Sequence, residues 1–311
     1  MFAYILNRVA RAVLTLIIIV SLAFVILRMS GDPAIMILGP EAPPQAVEAF
    51  RKAWGLDQPI WVQYAKYFGA VIQGDLGNSM RDGRAALEVV WERVPLTLAI
   101  TVPALLLNIL IGLPAGVLAA LFRNTAYDRL IMMVSVIGFT VPSFVMGLTL
   151  SLLLAVWLRL LPSGGSGTVA HAVLPVVTMG IIGAAVIARF TRSAMLEVLG
   201  QPYIRTASAK GVPWSQVITR HALANAAIPT MTIIGFMVGS LVAGAVVVES
   251  VFSWPGVGRL LVTAVANRDL AVVQVILLLI GFTMVAANLA VDLLYGWVDP
   301  RMRTKTATAG A

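Results

Sequence analysis

The sequence predicts an all-α integral membrane protein: six transmembrane helices, with a helical extracytoplasmic segment between the first and the second. Three observations carry that prediction. Of the 311 residues, 59% are hydrophobic and 12% charged, about half the charged share of a soluble domain, and mean hydropathy is +0.93. The apolar residues fall in runs rather than on periodic faces, and six runs can cross about 30 Å of hydrocarbon at ~1.5 Å per residue. Finally, the basic residues divide unevenly between the two sets of connecting segments.

The first run, Val13 to Leu27, follows Arg8 and Arg11. It is long for the apolar core of a signal peptide, and no small-x-small site follows it. It is read as a retained first span near Val9–Leu27, with the N-terminus in the cytoplasm. The other spans fall near Leu96–Leu121, Leu130–Leu158, Ala172–Ile187, Ile228–Val248 and Val272–Leu294. Pro103 and Pro114 in the second span and Pro142 in the third are tolerable inside a bundle, where neighbouring helices satisfy the freed backbone groups. The resulting division of the chain is residues 1–28 (tail and first span), 29–94 (extracytoplasmic segment), 95–297 (transmembrane core, including a cytoplasmic loop at 191–227) and 298–311 (cytoplasmic tail).

With that orientation, twelve of the 22 basic residues face the cytoplasm: Arg8, Arg11, Arg123, Arg129, Arg189, Arg192, Arg205, Lys210, Arg220, Arg301, Arg303 and Lys305. Four of the 14 acids oppose them there (Asp128, Glu197, Asp292, Asp299), so the whole net charge of +8 lies on the cytoplasmic side. This satisfies the positive-inside rule and removes any need for nucleic acid to explain the charge.

Between the first two spans, Val47, Phe50 and Trp54 share a face of one short helix, with Pro44 near its start and Gly55 past its end. Ile60, Tyr64, Phe68 and Val71 line a second, from near Pro59 to Gly74. The pair reads either as a cap on the outer membrane face or as a dock for an extracytoplasmic partner. A second outer segment, Glu249–Gln274, is amphipathic and turn-rich around "WPGVG". Its length and apolarity suit a re-entrant element lining a cavity. Glu249 there can meet a peptide's amino group or pair with Arg259 or Arg268. Asn108, Thr140, Ser143, Glu249 and Trp254 are the candidates for a pathway or outer gate; for Asn108, Thr140 and Ser143 the competing reading is a helix-packing contact.

The stretch "YIRTASAKGVPWSQVITRHALANAAIP", Tyr203–Pro229, interrupts the apolar runs. A short helix from Tyr203 to Lys210 can end at Gly211, which accepts positive φ. Pro213 suits the first turn of a second helix that places Trp214, Val217, Ile218 and His221 on one stripe, with Pro229 where the chain returns to the membrane. The elbow is either a loop held against the bundle ends, its charges serving topology, or a docking knob in which Thr206, Ala207, Ser208 and Ala209 let another surface come close.

Chemistry within the chain is disfavoured. Cysteine is absent, which excludes disulfides and thiolate chemistry. No G-x-x-x-x-G-K-[ST] occurs, and "GGSG" (Gly164–Gly167) is read as a flexible outer turn. His171 and His221 fall on opposite predicted sides. There is no H-E-x-x-H, and Asp292 at the inner end of the sixth span snorkels or pairs with an Arg.

The Tyr203–Pro229 stretch resembles the cytoplasmic coupling loop of ABC importer permeases, whose motif is E-A-A-x-x-x-G, nine residues, then I-x-L-P. Anchored on Gly211, Ala207, Gly211 and Leu223 fit strictly, and Arg205 stands where the motif has an acid. The blocks Gly31–Ala34, Gly55–Met80, Val246–Leu261 and Val291–Arg303 resemble the dipeptide, oligopeptide and nickel branch in the same order. The resemblance implies the type I ABC importer permease fold in a bacterial cytoplasmic membrane, and transport of small peptides such as dipeptides, oligopeptides or glutathione. It implies no catalysis or cofactor in this chain, with ATP and Mg on two partner ATPases, beside a second similar permease and an extracytoplasmic solute-binding protein. Tyr203, Arg205, Thr206, Ala207, Lys210, Gly211 and Trp214 would form the ATPase-coupling loop. The alternative is a stand-alone ion-coupled carrier or channel, which would transport without ATPases; a purely structural scaffold is a third reading.

Overall fold

A computed structural model describes residues 2–29 and 31–298. In chain order its helices are α1 (Phe2–Met29), α2 (Pro33–Leu38), α3 (Pro44–Ala53), α4 (Ile60–Ile72), α5 (Ala86–Trp91), α6 (Val94–Leu121), α7 (Ala126–Thr140), α8 (Ser143–Ser151), α9 (Ala170–Leu199), α10 (Pro202–Ala209), α11 (Trp214–Gln216), α12 (Leu223–Gly239), α13 (Leu241–Val251), α14 (Val257–Ala266) and α15 (Leu270–Val298). Single π-helical segments follow α8, at Leu152–Trp157, and α11, at Val217–Ala222. Among the described residues the one pairing of extended backbone is the isolated bridge Asn78–Ala85. The expectations placed on the side chains of Arg8 and of residues 292–298, and on the tail from Asp299 (Arg301, Arg303 and Lys305 included), lie outside what the structure describes.

Among the described residues, four helices are long and apolar enough to cross a membrane, or five if α7 and α8 count as one broken span. The expected third span is not one straight helix: α7 and α8 meet at 102°. Pro142 has no amide hydrogen to donate, and it pushes Val141 out of the helical region to φ −70°, ψ 122°. Pro103 and Pro114 do stay inside α6. The expected fourth span, ending at Ile187, runs on to Leu199, giving a helix of 30 residues. At ~1.5 Å per residue that is about 45 Å, so it outruns a bilayer core. The expected fifth span is divided at Ser240 into α12 and α13, and Pro229 lies inside α12 instead of at its start.

The chain forms two compact units. One holds the chain up to Thr97 together with Pro255–Phe282. In it α4 lies on α1: the Phe24 ring meets Tyr64 edge-on at 5.5 Å, and the Ser21 and Tyr64 hydroxyls are 2.7 Å apart. Phe50 and Trp54 pair at 5.9 Å, as their spacing predicts, and Gly55 and Gly74 take positive φ where the two short helices stop. Ile60, expected on the apolar face of α4, is exposed at the first position of that helix. Asp32 caps α2 by accepting from the Ala34 amide at 2.9 Å, and it receives Arg51 Nε at 2.7 Å, which ties α3 to the same turn. The Glu249–Gln274 segment holds the ordinary helix α14, whose first amide (Val257) donates to the buried Thr97 hydroxyl at 2.8 Å.

The second unit comprises Leu98–Trp254 and the chain from Thr283. Within it α6 approaches α9 closely at Gly112 and Gly116, which stand one turn apart. A Cβ at Gly112 would lie 2.8 Å from the Ala184 carbonyl oxygen, and one at Gly116 2.6 Å from that of Ala188. Small residues four apart allow this approach, a device suited to helices in lipid. The "GGSG" turn is held in place: Gly165 donates to the Phe252 carbonyl at 2.9 Å, and a Cβ on Gly164 would strike that oxygen.

Candidate functional site

Lys210, Gly211 and Val212 close α10 with a complete Schellman turn. Gly211, at φ +79°, donates to Ser208 O at 3.0 Å, and Val212 donates to Ala207 O at 3.3 Å. These are the two backbone bonds that satisfy the last free carbonyls of a helix. Pro213, extended at φ −52° and ψ 135°, then opens α11. The elbow expected from the Gly–Pro spacing is therefore formed.

Its underside is anchored. Ile204 and Val217, both essentially inaccessible, join Ala120, Ala194, Met195, Ala222 and Ala226 in one apolar cluster, against which Ala207 and Val212 also pack. The outer side presents Tyr203, Arg205, Thr206, Lys210 and Gly211 to solvent, with Trp214 55% exposed. Of the seven residues singled out in this loop, Ala207 alone faces inward. The predicted stripe needs a correction: Val217 is buried and Ile218 and His221 half-buried, whereas Trp214 points away. The stripe presumes 3.6 residues per turn. Val217–Ala222 forms a π-helical segment instead, which changes the angular phase between Trp214 and the residues after it.

Sequence reasoning counted Asp128 and Arg192 only as topological charges. In the structure Asp128, 3% exposed at the start of α7, accepts from Arg192 Nε at 2.6 Å and Nη2 at 2.7 Å, and from the Asn124 amide at 3.0 Å. This fork links the first turn of α7 to the last third of α9, the helix that leads into the elbow. A partial signal was present, since an acid in a first helical turn complements the helix dipole, but its partner is 64 residues away.

The pathway candidates separate. Asn108 and Ser143 line a cavity of about 320 Å³ with Thr101, Ser240, Gly244 and Val248. With its amide nitrogen toward the carbonyls, Asn108 donates to Gly180 O at 2.8 Å and Ala104 O at 3.0 Å, and it lies directly over Gly183, which has no Cβ to exclude it. Asn108 is thus a packing residue that also borders the cavity. Thr140 is exposed at the end of α7 and does not line it. Glu249 and Trp254 are buried.

A long helix thus leads into an exposed, anchored elbow on a bundle of close-packed apolar helices. The family model described as binding-protein-dependent transport system inner membrane component matches residues 112–304, and the model for the N-terminal part of that membrane component matches residues 1–101. The chain belongs to this family and is an ABC importer permease. It is 41% identical over 306 residues to the glutathione transport system permease protein GsiC of Escherichia coli (strain K12), covering 98% of this chain and 100% of that one. The protein of the same name from Salmonella paratyphi A is 42% identical over the same length, with the same coverage. A chain of the inward-facing MetNI methionine ABC transporter shares the fold, with a TM-score of 0.55 at 22% identity, covering 68% of this chain and 96% of that one.

Proposed function

We propose that this permease forms one membrane half of an ATP-driven importer of small peptides, glutathione among them, and that the Tyr203–Trp214 elbow is its coupling contact with a cytoplasmic ATPase. The observation that carries the coupling role is the Schellman turn at Gly211, a stiff knob anchored by Ile204 and Val217 beneath and bare of other contacts outside. Coupling requires an element that moves as a body between two placements, and a turn closed by its own backbone bonds is suited to move as one. Arg205, Lys210 and the exposed Trp214 supply charge and apolar area for the partner groove.

In this reading six spans cross a bacterial cytoplasmic membrane with both termini inside, which the positive-inside count supports. Residues 29–94 form an outer platform for the solute-binding protein, 95–297 the transmembrane core with its loop at 191–227, and 298–311 an inner tail. A second, similar permease completes the pathway, and ATP and Mg act on two ATPase subunits. The names of the relatives support glutathione or short peptides as cargo.

Proteoliposomes containing the assembled transporter and its binding protein test this reading. Labelled glutathione or dipeptide should accumulate only with ATP on the elbow side and binding protein on the other. Uptake by this chain alone, driven by an ion gradient, would instead identify a solitary carrier.

A further inference from the structure

The first unit contains a polar cavity of about 390 Å³, walled by the turn after Ser79, by Arg93 at the junction of α5 and α6, and by one face of α14. Three guanidiniums line it, those of Arg81, Arg93 and Arg259, each from a different element. Arg81 and Arg259 are exposed and Arg93 is half-buried, so all three side chains are accessible to a ligand. A guanidinium carries five N–H donors, and the bond from Arg93 Nη1 to Pro255 O at 3.4 Å does not exhaust them. The volume lies within the ~300–1,000 Å³ of small-molecule pockets, more than a single carboxylate fills.

The wall is held in shape, and most of its acids already have donors. The Ser79 amide donates to Arg84 O at 2.8 Å and the Gly83 amide to Ser79 O at 2.9 Å, which closes the turn that carries Arg81 and Asp82. The Ser79 hydroxyl and the Met80 amide both donate to the buried Asp269, tying that turn to the start of α15. Glu92, beside Arg93 in sequence, is held together with Glu88 by Arg84, at 2.5 and 2.9 Å. The other acid of the lining is Asp82, which is exposed. Cations therefore outnumber the accessible carboxylate in a space open to solutes.

We propose that this cavity is a cargo site on the permease itself, taking a short peptide that carries more carboxylates than ammonium groups. Glutathione is of that kind, with two carboxylates and one ammonium. The guanidiniums pair with its carboxylates, whose geometry they match bidentately, and Asp82 takes the ammonium. A dipeptide such as dialanine has a single carboxylate and engages fewer of those cations. Resting on the import reading above, this assignment places the site on the outer side, where cargo arrives.

Equilibrium binding of labelled glutathione and labelled dialanine to the full chain in lipid nanodiscs, without binding protein, tests this. The wild type should hold glutathione about tenfold more tightly than dialanine, the value of one added hydrogen bond to a charged group. Arg81→Gln and Arg93→Gln should each weaken glutathione about tenfold and narrow that gap. Asp82→Asn should weaken glutathione but not its N-acetyl derivative, which has no ammonium. Arg81 lies on an exposed turn, so its variant decides the matter should Arg93→Gln misfold. No glutathione binding by the wild type, or binding unchanged in Arg81→Gln, overturns the proposal. So does a result in which the arginine variants weaken only attachment of the binding protein, which would assign these cations to an acidic side chain of that protein. Uptake in proteoliposomes separates the cavity from the import reading. Glutathione uptake without binding to the chain alone refutes the cavity and leaves import standing, whereas binding without uptake supports the cavity and refutes import.

Discussion

Gly211→Val is expected to leave the protein in the membrane and the ATPases running, while uptake per ATP falls about tenfold. The cost is conformational. A Cβ built on Gly211 meets no atom within 4 Å, so no neighbour is displaced. But φ is +79°, and a β-branched residue held there costs about 1–2 kcal/mol, enough to shift a local equilibrium by roughly 5–30-fold. The Schellman bonds from Gly211 and Val212 then open, and the knob loses its fixed angle to α10. Gly211→Asn is the control: Asn visits this region at little cost, so it should retain most coupling. Parallel assays of uptake and phosphate release in proteoliposomes measure the ratio. A Val variant with an unchanged ratio would remove the turn from the mechanism.

The second large effect falls on stability. Asp128→Ala should cost about 3 kcal/mol, toward the lower end for breaking a buried pair, because Asp128 is 5% exposed by side chain and Arg192 retains 24%. Deleting the acid leaves the guanidinium with neither of its two short bonds and frees the Asn124 amide. The pair Asp128→Leu with Arg192→Met should recover most of the loss, since apolar side chains leave no uncompensated charge. Thermal unfolding of the purified chain in detergent reads both. A loss under about 1 kcal/mol for Asp128→Ala would show that the fork is only a surface contact.

What could be read in advance follows from the range of the interactions. The long helices α6, α9 and α15 come from composition alone, because lipid admits little else. Gly55, Gly74 and Gly211 mark their turns because a helix stop with positive φ is a local requirement. Pro142 shows where local reading ends. It has the same chemistry as Pro103 and Pro114, yet α6 stays helical at two prolines while α7 ends before one, so residue type alone does not decide. The π-helical segment at Val217–Ala222 escaped for a related reason, since no residue type encodes it and it reversed the expected burial of Trp214. Within the elbow, the exposed rim was legible as charge and small residues. The buried anchors Ile204 and Val217 acquire their role only from Met195 on α9 and Ala120 on α6.

Contact between this elbow and the ATPase can be tested directly, because the chain contains no cysteine. Lys210→Cys places a single thiol on the exposed rim, and Glu41→Cys places one on the segment after α1 as a control. In the assembled transporter, a short bifunctional reagent should join Lys210→Cys to an ATPase subunit, with a yield that differs between ATP-bound and nucleotide-free complexes, and should not join Glu41→Cys. A Lys210→Cys thiol that reacts fully with maleimide yet never cross-links to the ATPase in either state would contradict that contact.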